Sequence, residues 1–453
     1  MATPFPQSII QALDDQILSD PSIDPPLFAR LLAHQRELGL LHGDRPTCPF
    51  LRPHILSRSR YQTIATAAQT IAKAFEIVAE QALKDDALLS ELGLTAAEVK
   101  MARIDPGYSR LCVTSRLDAY LTESDFQFLE YNAESPAGVG DQMQLEKVLF
   151  AVPPVQDFID AHDHWWPQPH RLLLASLLET YREWGGTEAK PQIAIVDWDG
   201  VPTASEFEIL KNYFAAEGHA TIIVDPSTLA FDGHVLSAGN FRIDIVYKRV
   251  IIHEFLERSD ENHPLARAYA ARKVCMANSF RTKLAHKKAG FAILSDPQYA
   301  HLFTAAQLEI IRRHIPWTRR VHSGVTTLAG AECNLLEVLR NERERLVLKP
   351  NDEYGGAGVV LGWETSPEDW ELAIAVALAR PYVVQQRVPV ERTLFPMFGE
   401  AFGEKGAAVS MIVDFNPFLF HYKVEGALVR LSASSLSNVS SGGGQTALLV
   451  LED

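Results

Sequence analysis

Leu346-Val347-Leu348-Lys349-Pro350-Asn351-Asp352-Glu353-Tyr354-Gly355-Gly356-Ala357-Gly358-Val359-Val360-Leu361-Gly362 is the stretch on which the reading of this chain turns. An apolar run closes on a lysine, a polar turn follows, and glycines precede a second apolar run. Apolar β-branched runs on either side of turn residues predict two strands joined as a hairpin. The cluster is neither G-x-G-x-x-G nor G-x-x-x-x-G-K-[ST], and it joins strand to strand rather than strand to helix. That argues against both the dinucleotide fingerprint and the P-loop. Two readings stay open for the glycines. They make a tight structural turn, or they make a flap whose unblocked N–H groups close over phosphate. Further on, Tyr382-Val383-Val384-Gln385-Gln386-Arg387-Val388 predicts another strand, suited to presenting backbone groups to a flat base.

A second polar constellation lies much earlier. Leu111 to Tyr120 reads as a strand carrying Arg116 and Asp118 on one face, because side chains two apart share a face. Phe126 to Asn132 reads as its neighbour, with Glu130 and Asn132 on one face, and Ala133 to Gly140 as a turn. Asp118, Glu130 and Asn132 together would make an oxygen-rich site suited to Mg2+. A polar strand face is also what the solvated side of any sheet looks like.

Taken together, these segments resemble the circularly permuted ATP-grasp ligases, related to the glutathione synthetase and glutathionylspermidine synthetase groups. Lys349, Gly355, Gly356, Gly358, Gln385, Gln386 and Val388 resemble the nucleotide half of that fold. Arg116-x-Asp118 with Glu130-Tyr131-Asn132-Ala133-Glu134-Ser135-Pro136 resembles its metal and phosphate motif, here placed before the glycine loop instead of after it. The resemblance implies Asp118, Glu130 and Asn132 as Mg2+ ligands and Arg116 and Arg430 as phosphate contacts. It implies Lys288, or Lys287 in the other register, as the first ATP lysine. Glu134, Ser135, Gly138 and Arg249 are the implied substrate-binding set. As charge patterning alone, the Lys273–Lys288 run is a solvated face or a phosphate contact, and Lys248-Arg249 an exposed basic pair or a carboxylate site.

The expected fold is α/β with α+β elements. Residues 1–100 read as a helical N-terminal region, with Ser59 to Leu83 a long amphipathic helix and Thr95-Ala96-Ala97-Glu98 a capping box. Residues 101–150 are the permuted segment and 276–453 the rest of the nucleotide-binding domain. Alternating strands and helices over 190–275 predict a small parallel sheet, a pre-ATP-grasp-like domain. Within it Ile193 to Asp197, Ala220 to Asp225 and Phe241 to Tyr247 are the expected strands. Cys333 to Asn341 reads as a helix, residues 151–190 as an aromatic-anchored loop followed by a helix, and Val409 to Phe415, Phe418 to Val424 and Ala427 to Ser432 as an antiparallel sheet. Gly442-Gly443-Gly444 reads as a turn or a substrate cradle.

The chain has 453 residues, 47% of them apolar, and a net charge of -15, which disfavours nucleic acid and anionic membranes as partners. Four scattered cysteines form no C-x-x-C pair and suggest neither zinc nor disulfides. No basic-then-apolar leader and no apolar run of membrane-spanning length is present, so a cytoplasmic location is expected. The resemblance implies ATP- and Mg2+-dependent joining of a small-molecule or peptide carboxylate to an amine through an acylphosphate. The other readings are an ATP-dependent phosphotransferase and a non-catalytic nucleotide-binding regulatory protein. The sequence sets no oligomeric state.

Overall fold

The structure, a computed structural model, describes residues 7–398, 406–434 and 443–453. It is a mixed α/β protein, and among the described residues no helix is long and apolar enough to cross a membrane. Five helices come first, between Gln7 and Ala102. The long one, Arg58–Ala82, starts where the Ser57 side chain accepts from the Arg60 N–H. Its buried stripe, Ile64, Ala68, Ile71, Phe75 and Val78, follows the predicted spacing. Phe75 packs against Tyr131 at a centroid distance of 4.7 Å and against Phe291 at 5.0 Å, so this helix supports both the Glu130 strand and the segment after Lys288. The Thr95 capping box forms as expected.

The largest sheet is antiparallel and built from distant parts of the chain. Its order is Gly444–Thr446, Lys423–Ser432, Ala407–Phe420, Thr114–Leu121 and Phe126–Asn132, with Arg392–Met397 also paired to Ala407–Phe420. The runs read as Val409–Phe415 and Phe418–Val424 are one strand of 14 residues that ends at Phe420, Val424 belonging to the next. Pro417 looks like a break in sequence, but it sits where pairing with the next strand shifts register, so its missing N–H is tolerated. Gly442 lies outside the described residues, while Gly444 is within a strand.

Four parallel strands, in the order Cys275–Ala277, Ile245–Lys248, Ile193–Val196 and Thr221–Val224, form the predicted small sheet. Phe241 to Tyr247 is not one strand. Asp244 interrupts it, accepting from the Gln192 N–H at 2.8 Å and pairing with Arg242 at 2.9 Å, and Phe241–Arg242 joins a separate antiparallel sheet. The opening stretch folds as the expected hairpin, Leu346–Pro350 against Val360–Leu361, in a sheet completed by Tyr382–Gln386 and Thr318–Arg320. Cys333 does not begin a helix. It lies in the strand Ala331–Asn334 of a short hairpin, and the helix Leu335–Asn341 follows, capped by Asn334. Residues after Val152 are likewise more ordered than a loop, with helix Pro153–Ala161 and strand His164–Trp165.

Asn278, just past the parallel sheet, joins that sheet to the antiparallel one. Its Oδ1 accepts from the N–H of Val113 (2.8 Å) and Thr114 (3.2 Å). Its Nδ2 donates to the carbonyls of Thr114 (2.6 Å), Ala133 (2.9 Å) and Glu134 (3.1 Å). The side chain is fully buried, so no water replaces these bonds on truncation. Each buried group left unpaired costs roughly 1–3 kcal/mol, so Asn278→Ala is expected to lose more than about 3 kcal/mol in urea denaturation. A loss below about 1 kcal/mol, the average net worth of one hydrogen bond, would remove Asn278 from this role.

Candidate functional site

The Thr114–Leu121 and Phe126–Asn132 strands pair Arg116 with Asn132 and Asp118 with Glu130, which brings the two polar faces together as the two-residue period predicts. Asp118 is the hub. Its Oδ1 accepts from Arg116 Nε at 2.8 Å and Asn132 Nδ2 at 3.0 Å, and its Oδ2 from Arg116 Nη2 at 3.0 Å and Arg430 Nη2 at 2.8 Å. Arg430 also donates to Asp414 at 2.7 Å. Two guanidiniums are thus balanced by two carboxylates, and these carboxylates raise the Arg430 pKa against the opposing effect of burial. Asp414 was not singled out from the sequence. It faces Arg430 in the antiparallel register, a pairing invisible until the strands are aligned.

Glu130 turns the other way and meets Lys288 Nζ at 2.7 Å. The same ammonium donates to the Glu353 carbonyl at 2.6 Å, so Lys288 joins the Glu130 strand to the turn before the glycine loop. Burial would raise the Glu130 carboxyl, but Lys288, with Lys349 and His286, brings it down to about 2. Lys349 Nζ lies 2.7 Å from Gln385 Oε1 and 3.3 Å from the Leu129 carbonyl, and burial pushes its pKa down to about 8. Gly355, Gly356 and Gly358 have φ of 64°, 80° and 69°, where a side chain is strained. Gln386 ends its strand, and Val388 lies beyond it, buried.

A cavity of about 360 Å³ opens beside these groups. Of the expected residues, Arg116, Asp118, Glu130, Asn132, Glu134, Ser135, Gly138, Arg249, Gly355 and Arg430 line it. Lys288, Lys349, Gly356, Gly358, Gln385, Gln386 and Val388 lie outside that lining. Lys248 and Arg249 are buried, which rules out the exposed-pair reading. Arg249 donates to the Pro136 carbonyl and, at 3.3 Å, to Tyr247 Oη.

The basic run before Ala289 is likewise no solvated face, since Lys283, Lys287 and Lys288 are all buried. Lys283 is wholly enclosed, 2.8 Å from Glu134 and 2.6 Å from Asp352. Lys287 pairs with Asp352 at 2.5 Å and with Glu98 at 2.9 Å. Lys287 is held in an ion cluster with Asp352 and Glu98, whereas Lys288 reaches Glu130. Glu98 serves twice, as the capping-box acceptor for the Thr95 N–H and as a partner of Lys287. Glu134, His286 and Asp352 offer ligand atoms within 4.8 Å of one another, yet the Lys283 ammonium already lies between the two carboxylates. The cluster is an ion-pair network fixing the base of the glycine hairpin.

Burial alone would raise the Glu134 carboxyl, but Lys283, with His286 and Lys248, holds it at about 2, below its ordinary 4.5. Asp352 is lowered for the same reason, by Lys283 and Lys287 against its burial. A depressed folded pKa contributes stability above the unfolded value and loses it as pH falls toward the folded one. Stability should therefore decline as pH falls from about 4.5 toward about 2. Lys283→Met removes the counter-charge of the buried Glu134 and one of the two lysines on Asp352, and should cost about 3–5 kcal/mol at neutral pH, with a shallower acid-side slope. Chemical denaturation across pH measures both, and an unchanged acid slope in the variant would contradict the assignment.

No family model matches the sequence, and no curated protein matches it. Among solved structures, the chain is similar to a glutathione synthetase-like effector (GSS30) from Globodera pallida in its apo form. The TM-score is 0.61 at 14% identity, with 96% of this chain and 98% of that chain covered. A protein of Methylobacillus flagellatus, provisionally named a gamma-glutamylcysteine synthetase, aligns with a TM-score of 0.44 at 9% identity over 88% of this chain and 89% of that one. The likeness to the Globodera protein extends over nearly the whole chain and is one of fold: this protein shares the fold of a glutathione synthetase-like effector.

Proposed function

We propose that the protein is an ATP- and Mg2+-dependent carboxylate–amine ligase of a circularly permuted ATP-grasp fold. In this reading 101–150 is the permuted metal segment, 190–275 the pre-ATP-grasp-like domain and 276–453 the remaining nucleotide-binding part, behind the helical 1–100 region. The observation that carries it is Lys288, which bridges Glu130 to the Glu353 carbonyl at the root of the glycine hairpin. That lysine ties a candidate metal donor to the turn before the glycine hairpin, and the three residues come from separated segments.

The donor set fits a hard divalent cation. Glu130 is held ionised, and Asn132 donates its amide N–H to Asp118, which leaves its carbonyl oxygen for a ligand role. Asp118 joins them only by yielding contacts, because both its oxygens already accept from guanidinium groups. Phosphate oxygens are the natural new acceptors for Arg116 and Arg430, since planar guanidinium groups bind phosphate as they bind carboxylate. Mg2+ bound there would neutralise charge developing on the phosphates.

A carboxylate is a poor electrophile because its leaving group would be oxide or hydroxide. Attack of the substrate carboxylate on the γ-phosphorus of ATP releases ADP and leaves an acylphosphate. Attack of the amine on that acyl carbon then expels phosphate and forms the amide. Arg116, Arg430, Lys288 and Lys349 would hold the phosphate oxygens, and Gln385 would orient Lys349. The glycine hairpin would exclude water, which otherwise hydrolyses the acylphosphate. No protein nucleophile is needed, and three of the four cysteines are buried.

The test is incubation with ATP, Mg2+ and pooled carboxylates and amines, followed by mass spectrometry and ADP measurement. ADP with an amide product supports the ligase, and a stable phosphorylated alcohol replaces it with a phosphotransferase. No ATP turnover across the pools would instead favour the reading of a nucleotide-binding regulatory protein. Glu130→Ala should abolish metal-dependent turnover and Lys349→Ala should weaken nucleotide use.

The pH dependence of binding is a separate check on Lys349. Its ammonium, the form that attracts phosphate, is lost as pH rises through about 8. Affinity for Mg2+ with a non-hydrolysable ATP analogue should fall about thirtyfold between about pH 7 and about pH 9.5, since each pH unit above the pKa removes about nine-tenths of the remaining ammonium. Lys349→Met should bind weakly at both values, without the step. A wild-type profile flat through this range would take Lys349 off the phosphates.

A further inference from the structure

The cavity has a second polar region that the phosphate chemistry does not use. Around Arg249 it is lined by Asp141, Asp197 and Glu206, with Gln445 beside them. Glu206 sits in the first turn of the helix Ala204–Ala216, 4% exposed. Its Oε1 accepts from the Gly140 N–H at 3.3 Å. Its Oε2 has no hydrogen bond, and its nearest counter-charge is Arg249 Nη2 at 3.5 Å. Asp141, the next residue after Gly140, accepts from Gln445 Nε2 at 2.7 Å. Asp197 accepts from the backbone N–H of Trp198 at 2.8 Å.

Three carboxylates therefore surround one guanidinium whose Nη1 is spent on Pro136 and Tyr247. His42 also lines the cavity, but burial and Arg45 hold it below its usual range, so it adds little positive charge. Burying like charges without compensation is unfavourable, and a proton on one of the carboxyls would relieve it. Burial first, and then the neighbouring Glu206, push Asp141 up to about 7, while Gln445 and Arg249 oppose the shift. A proton is one way to supply the missing positive charge, and a ligand cation is another.

We propose that Asp141 and Glu206 form a recognition subsite for an alkylammonium group of the substrate. The placement of this subsite on a substrate rests on the ligase reading above. The bound ammonium displaces the proton of the carboxyl pair and accepts no part in bond formation, since it has no free lone pair. It positions the molecule while another group reacts at the phosphate side of the cavity. The ammonium belongs either to the amine acceptor, as a second amino group, or to the carboxylate donor, as an amino acid. Arg249 beside the pair is positioned to select the latter if the ligand also carries a carboxylate.

The experiment is calorimetric titration of the full chain at pH 8 with 1,4-diaminobutane, 4-aminobutanoate and the neutral 1,4-butanediol. Wild type is compared with Asp141→Asn and Glu206→Gln. Asp141→Asn keeps the shape of the side chain and removes a like-charge contact, so it should fold, and thermal melting checks both variants. At least one ammonium ligand should bind wild type tenfold or more tightly than it binds either variant, with butanediol weaker throughout. Titrations near pH 7 in buffers of different ionisation enthalpy should show proton release. Preference for diaminobutane assigns the group to the acceptor, and preference for 4-aminobutanoate assigns it to the donor. No binding, equal binding by the variants, or equal binding of butanediol overturns the subsite. Binding needs no turnover: ammonium binding without ATP consumption leaves the subsite standing and removes the ligase, and the converse removes only the subsite.

Discussion

The buried amide of Asn278 is the contact on which the geometry of this protein depends. One end of the parallel sheet reaches it, and from there it satisfies backbone groups at the start of the Arg116 strand and just after the Glu130 strand. The residues that carry those groups are buried, so water does not replace the amide there. The amide therefore fixes where the two strands begin and end, and with them the facing of Arg116, Asp118, Glu130 and Asn132. Phe75 fixes the same strand from the other side, through Tyr131. Packing and hydrogen bonding thus position the polar face before any charge is considered.

Charge then sets how the parts of the site are held to one another. Asp118 balances Arg116 and Arg430, Glu130 meets Lys288, and Glu134 with Asp352 encloses Lys283. Apart from Arg116–Asp118, which share one strand, these pairs join segments far apart in sequence, so the buried ions act as registration points between them. Such pairs add little net stability when complete and cost much when one partner is removed. The region around Arg249 differs, because there the carboxylates outnumber the cation. An excess of one charge sign in a lined cavity points to an occupant, whereas balanced pairs point to architecture.

How much of this was legible in the sequence depended on the range of the interaction. The Arg116/Asp118 and Glu130/Asn132 faces were readable because strand period is local. So were the glycine hairpin, the capping box at Thr95 and the buried stripe of the Arg58–Ala82 helix, which are set within a few residues. Asp414, Asp141, Glu206 and Lys283 were not readable, since their roles come from partners brought together by register and sheet order. Lys283 lies in a basic run whose sequence looks like a solvated face, and only its enclosure by Glu134 and Asp352 shows otherwise. Cys333 and the break read between Phe415 and Phe418 misled for a related reason: a short hairpin and a register shift are tertiary events that local propensity does not encode. The cavity around Arg249 left no linear signal at all.

The central claim is that a substrate carboxylate is activated by phosphoryl transfer. Its most direct test follows the oxygen atoms. With a turned-over carboxylate labelled with 18O on both oxygens, one label must pass to the phosphate released when the amine attacks, and mass spectrometry of that phosphate reads it. Singly labelled phosphate, formed in step with the amide, is the predicted result. Unlabelled phosphate would show that the carboxylate never attacked the γ-phosphorus, and the account of this site as a ligase would be wrong.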